Sequence, residues 1–120
     1  MIRDLNSESD AHDIFEISRS KPVLILKHST RCGISARAYQ EFRNHLNDHR
    51  EDDLAVYTRV LVVEQRDLSH RLGELLGVPH QSPQLIVVRN GKAVRHMSHF
   101  AISSESIQDA LRETEKTNAT

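Results

Sequence analysis

Cys32 is the only cysteine of the 120-residue chain. It stands where an apolar strand-like run, Val23-Leu24-Ile25-Leu26, gives way to a helix-like pattern beginning near Gly33. The thiolate is the reactive form of cysteine, and the unpaired N–H groups of a helix start favour it, as does the Arg31 cation beside it. Three residues on is Ser35, so Lys27-His28-Ser29-Thr30-Arg31-Cys32-Gly33-Ile34-Ser35 is a Cys-x-x-Ser version of the Cys-x-x-Cys redox motif. In a dithiol site the second sulfur attacks the mixed disulfide and frees its cargo; a serine hydroxyl cannot form that bond. The chemistry open to these residues is therefore one exchange that ends with Cys32 joined to a small thiol. The Ser35 hydroxyl or N–H, one turn on, is expected to help hold the thiolate. The competing reading of a lone cysteine is a buried, inert side chain.

A second segment, Val78-Pro79-His80-Gln81-Ser82-Pro83-Gln84, leads into a strand. By composition alone Pro83 is an ordinary trans proline opening an edge strand, because only about 5 to 6% of X-Pro bonds are cis.

The elements that must position these two segments are legible in the apolar pattern. Residues 9 to 19 carry Ala11, Ile14, Phe15 and Ile17 behind the candidate caps Ser9 and Asp10, a short helix closed by Lys21-Pro22. Val23 to Lys27 reads as a buried strand. Ile34, Ala38, Phe42 and Leu46 recur every four residues, predicting a helix from about 33 to 49. Leu54 to Val63 reads as a second central strand, and Leu68, Leu72, Leu75 and Leu76 mark a helix ended by Gly77 and Pro79. Leu85 to Val88 and Ala93 to Phe100 form a hairpin about Asn90-Gly91. Ser103 or Ser104 caps a last helix with Ile107, Ala110 and Leu111. The domain is expected to span residues 1–120, with a core from about 8 to 113 and a frayed polar tail at 114–120. A parallel βαβ unit, a crossover helix, a hairpin and a closing helix describe an α/β, thioredoxin-like fold: a mixed four-stranded sheet with helices on both faces.

Composition narrows the function classes. Sixteen basic against seventeen acidic side chains, interspersed, and only 4% aromatic residues argue against a nucleic-acid partner. No stretch approaches the roughly 20 apolar residues of a bilayer span, so no membrane role is expected. One cysteine and an N-terminus interrupted throughout by charge predict a reducing, cytoplasmic setting. Glu41, His45 and His49 share a helical face at ligand spacing, but they lack a third strong ligand and fall near a helix C-terminus, where histidine suits the dipole; no metal is expected. His28, at the end of the strand before the cysteine, either assists the thiolate as an imidazolium or packs. His96 and His99, three apart on one strand, should face opposite ways, so at most one meets the site. Lys92 and Arg89 are assigned only the role of keeping the hairpin soluble.

Taken together, His28 to Ser35, then His80-Gln81-Ser82-Pro83-Gln84-Leu85, then Asn90-Gly91 with His96-Met97-Ser98-His99, resemble the monothiol bacilliredoxins of the YtxJ type over about residues 20 to 103. Gly33 departs from the pattern, since members often carry Pro or Ser there, and glycine loosens the first helical turn. The resemblance implies a cis bond before Pro83, facing the cysteine. It also implies removal of bacillithiol from S-bacillithiolated client proteins, Cys32 attacking the mixed disulfide and retaining bacillithiol until another thiol or a disulfide reductase clears it. Bacillithiol is then a co-substrate, with no metal or organic cofactor, and a monomer is expected. The site would comprise Cys32 and Ser35 as catalytic residues, with Thr30, Arg31, Gly33, His80, Ser82 and Pro83 around the substrate. Arg31, Arg37 and His80 are the candidate partners of the malate carboxylates of bacillithiol. Two other readings remain open. Cys32-Gly33-Ile34-Ser35 is one side chain from the Cys-Gly-Phe-Ser of monothiol glutaredoxins that handle iron–sulfur clusters with glutathione, although His96 to Ile102 stands where their Gly-Gly-x-Asp-like clamp would be. The other is a thioredoxin-fold binding module with an unreactive cysteine.

Overall fold

The computed structural model describes the backbone of residues 1–119 and the side chains of residues 1–115. Its elements run β1 (Ile2–Asp4), α1 (Glu8–Ile17), β2 (Val23–His28), α2 (Gly33–Asp48), β3 (Val56–Leu61), α3 (Arg66–Leu76), β4 (Gln84–Arg89), β5 (Lys92–Ser98), a single 3₁₀ turn (His99–Ala101) and α4 (Ser104–Ala119). The sheet order is β1-β3-β2-β4-β5, with β1, β3 and β2 parallel and β4 and β5 antiparallel to their neighbours. It therefore has five strands rather than four. The added strand, β1, is three residues long, too short to show alternation, and it covers the free edge of β3. Its Arg3 reaches Asp10 and Asp13, its Asp4 pairs with Arg59, and Leu5 just beyond is buried, so the core begins before residue 8.

Strands β2 and β4 lie inside the sheet and are covered on both faces, which is why they read as unbroken apolar runs. Leu24, Leu26, Leu85 and Val87 join Ala38 and Phe42 of α2 and Ile107, Ala110 and Leu111 of α4 in one core. Val23, Ile25, Ile86 and Val88 join Ala11 and Ile14 of α1 and Leu68 and Leu72 of α3 in the other. By the same parity Lys27 faces the α1/α3 side, and it is wholly buried.

Several ends differ from the sequence reading, for local reasons. The cap of α1 is Ser7, whose hydroxyl accepts the Asp10 N–H at 3.2 Å, rather than Ser9 or Asp10. The strand expected to run to Phe100 stops at Ser98, because His99 turns to φ +55 and gives its N–H to Pro83 O at 3.0 Å. His99 is thus off the strand, and the alternation argument relating it to His96 does not apply. Ser103 caps α4, its Oγ accepting from Ser106 N–H at 3.0 Å. Helix α4 does not fray after Glu113: Thr114 is buried and its hydroxyl donates to Ala110 O at 2.9 Å. Thr120, the last residue of the expected tail, lies outside the described residues.

Candidate active site

Strand β2 ends at His28, and Ser29-Thr30-Arg31 carries the chain to Cys32, the N-cap of α2. Extended backbone at Cys32 (φ −122, ψ 126) lets its carbonyl accept the Ala36 N–H at 3.0 Å, the first bond of the helix, while no side chain caps the remaining N–H groups. Cys32 is partly exposed, and the first turn of α2 holds no acidic residue. A thiolate at this place meets unpaired backbone donors and no neighbouring carboxylate in that turn. Thr30, Arg31 and Gly33 are exposed around it.

The Ser35 hydroxyl is committed to the end of the strand that precedes the cysteine. Ser35 is fully buried, its Oγ accepts the Ser29 N–H at 2.9 Å, and it lies 2.7 Å from His28 Nδ1. Ser35 therefore ties the cysteine loop to the end of β2, fixing the approach of Cys32 to its helix. His28 stacks on Tyr39 with ring centroids 4.8 Å apart, and the Arg59 guanidinium lies 5.0 Å from the Tyr39 centroid. Burial lowers the His28 pKa from its ordinary value, and Arg59 adds to the effect, so His28 is neutral at neutral pH. The buried, stacked ring supports the packing reading of His28, and its lowered pKa disfavours the imidazolium one.

The second segment meets the first across the sheet. Lys27 of β2 pairs in register with Gln84 of β4, so the loop after His28 and the Ser82–Pro83 bond before Gln84 emerge at the same end of the sheet. That bond is cis. Pro83 is buried, Gln84 Nε2 donates to Pro79 O at 3.0 Å to brace the loop, and the Ser82 hydroxyl and Gln84 Oε1 are buried with no hydrogen-bond partner. The 3₁₀ turn is fastened to the same loop through His99 N–H and Pro83 O.

His80 is exposed but serves differently from the expected carboxylate cation. Its ring lies 5.0 Å from that of His70, and its Nδ1 is 3.4 Å from the buried Lys27 Nζ. Burial, then Lys27 and His70, lower its pKa, so it is uncharged at neutral pH. Arg31 and Arg37 remain as cations with no ion-pair partner among the described residues. Glu41, His45 and His49 have separate duties. Glu41 accepts from Ser104 N–H, His45 binds Tyr57 OH (2.6 Å) and Gln108 (2.8 Å), and His49 binds Asp52 (2.7 Å).

Two features escaped the sequence reading. Lys27 was legible in principle, since strand parity places it with Val23 and Ile25 inside the molecule. The 3₁₀ turn, which sets Phe100 against Arg37, had no local signal beyond the strand pattern that conceals it.

A partly exposed cysteine on a helix N-terminus, at the same end of a mixed sheet as a cis-proline loop and with helices on both faces, defines a thiol-redox protein of the thioredoxin fold. Solved structures agree. A thioredoxin-fold protein described as a candidate oxidoreductase is 30% identical, with TM-score 0.82 over 91% of this chain and 92% of its own. The thioredoxins of Malassezia sympodialis (18% identity, TM-score 0.74, 94% of this chain and 90% of its own) and Trypanosoma brucei brucei (15%, 0.76, 97% and 92%) share the fold. Residues 3–107 match the family described as monothiol bacilliredoxin BrxC, and the chain belongs to that family.

Proposed function

We propose that the protein removes bacillithiol from S-bacillithiolated proteins. The Cys32 thiolate attacks the bacillithiol sulfur of the client's mixed disulfide. The Cys32–S–S–bacillithiol bond forms as the client S–S bond breaks, and the client sulfur leaves as a thiolate that takes its proton from water. No electrons are gained or lost overall. A second thiolate, from a low-molecular-weight thiol or a disulfide reductase, then attacks the Cys32-bound bacillithiol sulfur and regenerates the Cys32 thiolate.

The observation that carries this reading is the contrast between positions 32 and 35. Cys32 is a partly exposed residue on an uncapped helix start, whereas position 35, where a resolving thiol would stand, is a buried hydroxyl committed to Ser29 and His28. Such a site accepts a thiol and cannot expel it from within. Neither step calls on a metal or organic cofactor, and one chain supplies every residue invoked.

The test is intact mass spectrometry of wild-type protein and Cys32→Ala after incubation with a bacillithiolated client, with a glutathionylated client in parallel. The wild type gains one bacillithiol as the client loses it, and the variant gains none. An unmodified Cys32 after the client has lost its bacillithiol refutes the exchange, and faster reaction with the glutathionylated client refutes the choice of thiol.

A further inference from the structure

We infer that Arg37 and Phe100 form a clamp for the non-sulfur end of the small thiol, and that this clamp decides which of the two sulfurs Cys32 attacks. The inference rests on the bacillithiol reading above. Arg37 lies on α2 five residues after the cysteine, and its guanidinium is held at two points. Its Nη1 donates to Ile102 O at 3.2 Å, and its Cζ lies 5.6 Å from the Phe100 ring centroid. An arginine fixed in this way, with no ion-pair partner among the described residues, presents its remaining N–H donors to solvent as a preformed fork for a carboxylate.

Phe100 is 65% exposed although it is a large apolar side chain. It belongs to the 3₁₀ turn, which is tied to the cis-proline loop through His99 N–H and Pro83 O and to the helix bearing Cys32 through Arg37. With Arg37 against it, the rest of the ring is open to the C–H face of a sugar. Bacillithiol joins its cysteine to an aminosugar bearing a malate, which is the pairing of flat face and carboxylates that the two side chains complement.

A mixed disulfide has two sulfurs, and attack on the client's own sulfur would release bacillithiol and trap the client on Cys32. Seating the sugar and malate on Phe100 and Arg37 places the bacillithiol sulfur, rather than the client's, beside the nucleophile.

The test uses one client protein capped on the same cysteine either by bacillithiol or by 2-mercaptoethanol, which lacks both sugar and carboxylate. Wild type, Phe100→Ala and Arg37→Gln are compared by acid quench and intact mass. In each variant the ratio of kcat/KM for the bacillithiol cap over the mercaptoethanol cap falls about tenfold, the scale of one lost charge-assisted or stacking contact. The Cys32–client adduct, a trace in wild type, becomes a major product. A wild-type preference that survives both substitutions with unchanged products overturns the clamp alone, as does an equal loss on both caps, which marks a structural role. A wild type that does not distinguish the caps overturns the bacillithiol reading and the clamp with it.

Discussion

Replacing Lys27 by methionine should make the protein more stable at neutral pH, and the gain should shrink in alkali. Lys27 is among the largest fully buried side chains, its Nζ has one hydrogen-bond partner among the described residues, His80 Nδ1 at 3.4 Å, and burial pushes its pKa down from 10.5 to about 8. That displacement is a stability cost of about 3 kcal/mol wherever both states are protonated, that is, below about pH 8. Methionine keeps most of the stem's volume, and losing the long contact to His80 costs about 1 kcal/mol, so the net gain at pH 7 is about 2 kcal/mol. Between about pH 8 and pH 10.5 the unfolded wild type binds more protons than the folded one, so wild-type stability rises with pH and the variant's advantage disappears. Urea denaturation of both proteins near pH 7 and near pH 10 measures this. A variant that is less stable by the same margin at both pH values would refute the reasoning. It would mean that Nζ has found compensation among the buried groups nearby, where Gln84 Oε1 lacks a partner.

Two glycines should respond in opposite directions. A Cβ on Gly33 meets nothing within 4 Å, so Gly33→Ala should raise stability by about 0.5–1 kcal/mol, whereas a Cβ on Gly73 would lie 2.9 Å from the Val78 carbonyl oxygen, so Gly73→Ala should lower the thermal midpoint despite its better helix propensity. Burial holds His28 and His45 below the ordinary histidine pKa, so both bind fewer protons folded than unfolded. Stability should therefore fall as pH drops below about 6.5, by up to about 1.4 kcal/mol per pH unit for each group, and His45→Gln should flatten that slope in urea titrations. Ser35→Ala leaves the Ser29 N–H and the buried His28 ring without their partner and should cost about 2 kcal/mol. Alkylation of Cys32 measured alongside should slow by less than about threefold, and a much larger drop would restore the hydroxyl as a direct partner of the thiolate.

What the sequence reveals follows from how far each signal reaches along the chain. Helix α2 announces itself through four apolar residues at spacing four, and β2 and β4 through runs that are apolar because both faces are covered. The positions of Cys32 and Pro83 at one end of the sheet follow from those elements. What is hidden depends on contacts distant in sequence. Strand β1 is defined by its pairing with β3, more than fifty residues away. The end of β5 is set by the bond from His99 to Pro83, and the commitment of Ser35 by a histidine on the preceding strand. Lys27 is half legible: it falls within the run read as a buried strand, but nothing local signals that its ammonium, which at a strand end commonly reaches water, stays inside.

The exchange of a second thiol for Ser35 accounts for more than the loss of a nucleophile. Its hydroxyl begins a chain of contacts that runs through His28 to Tyr39, from Tyr39 to Arg59, and from Arg59 to Asp4 on β1, so the cysteine loop is anchored to the far edge of the sheet. A sulfur at position 35 could make at most weak hydrogen bonds to Ser29 and His28. The site thus gains a rigid support for Cys32 and gives up release of its adduct from within. In the proposed exchange, release comes from a thiol arriving from outside, and an arriving thiol can be selected only by surface that stays open once the adduct has formed. The exposed side chains about Cys32 that the clamp leaves free, Thr30 and Arg31 among them, are that surface.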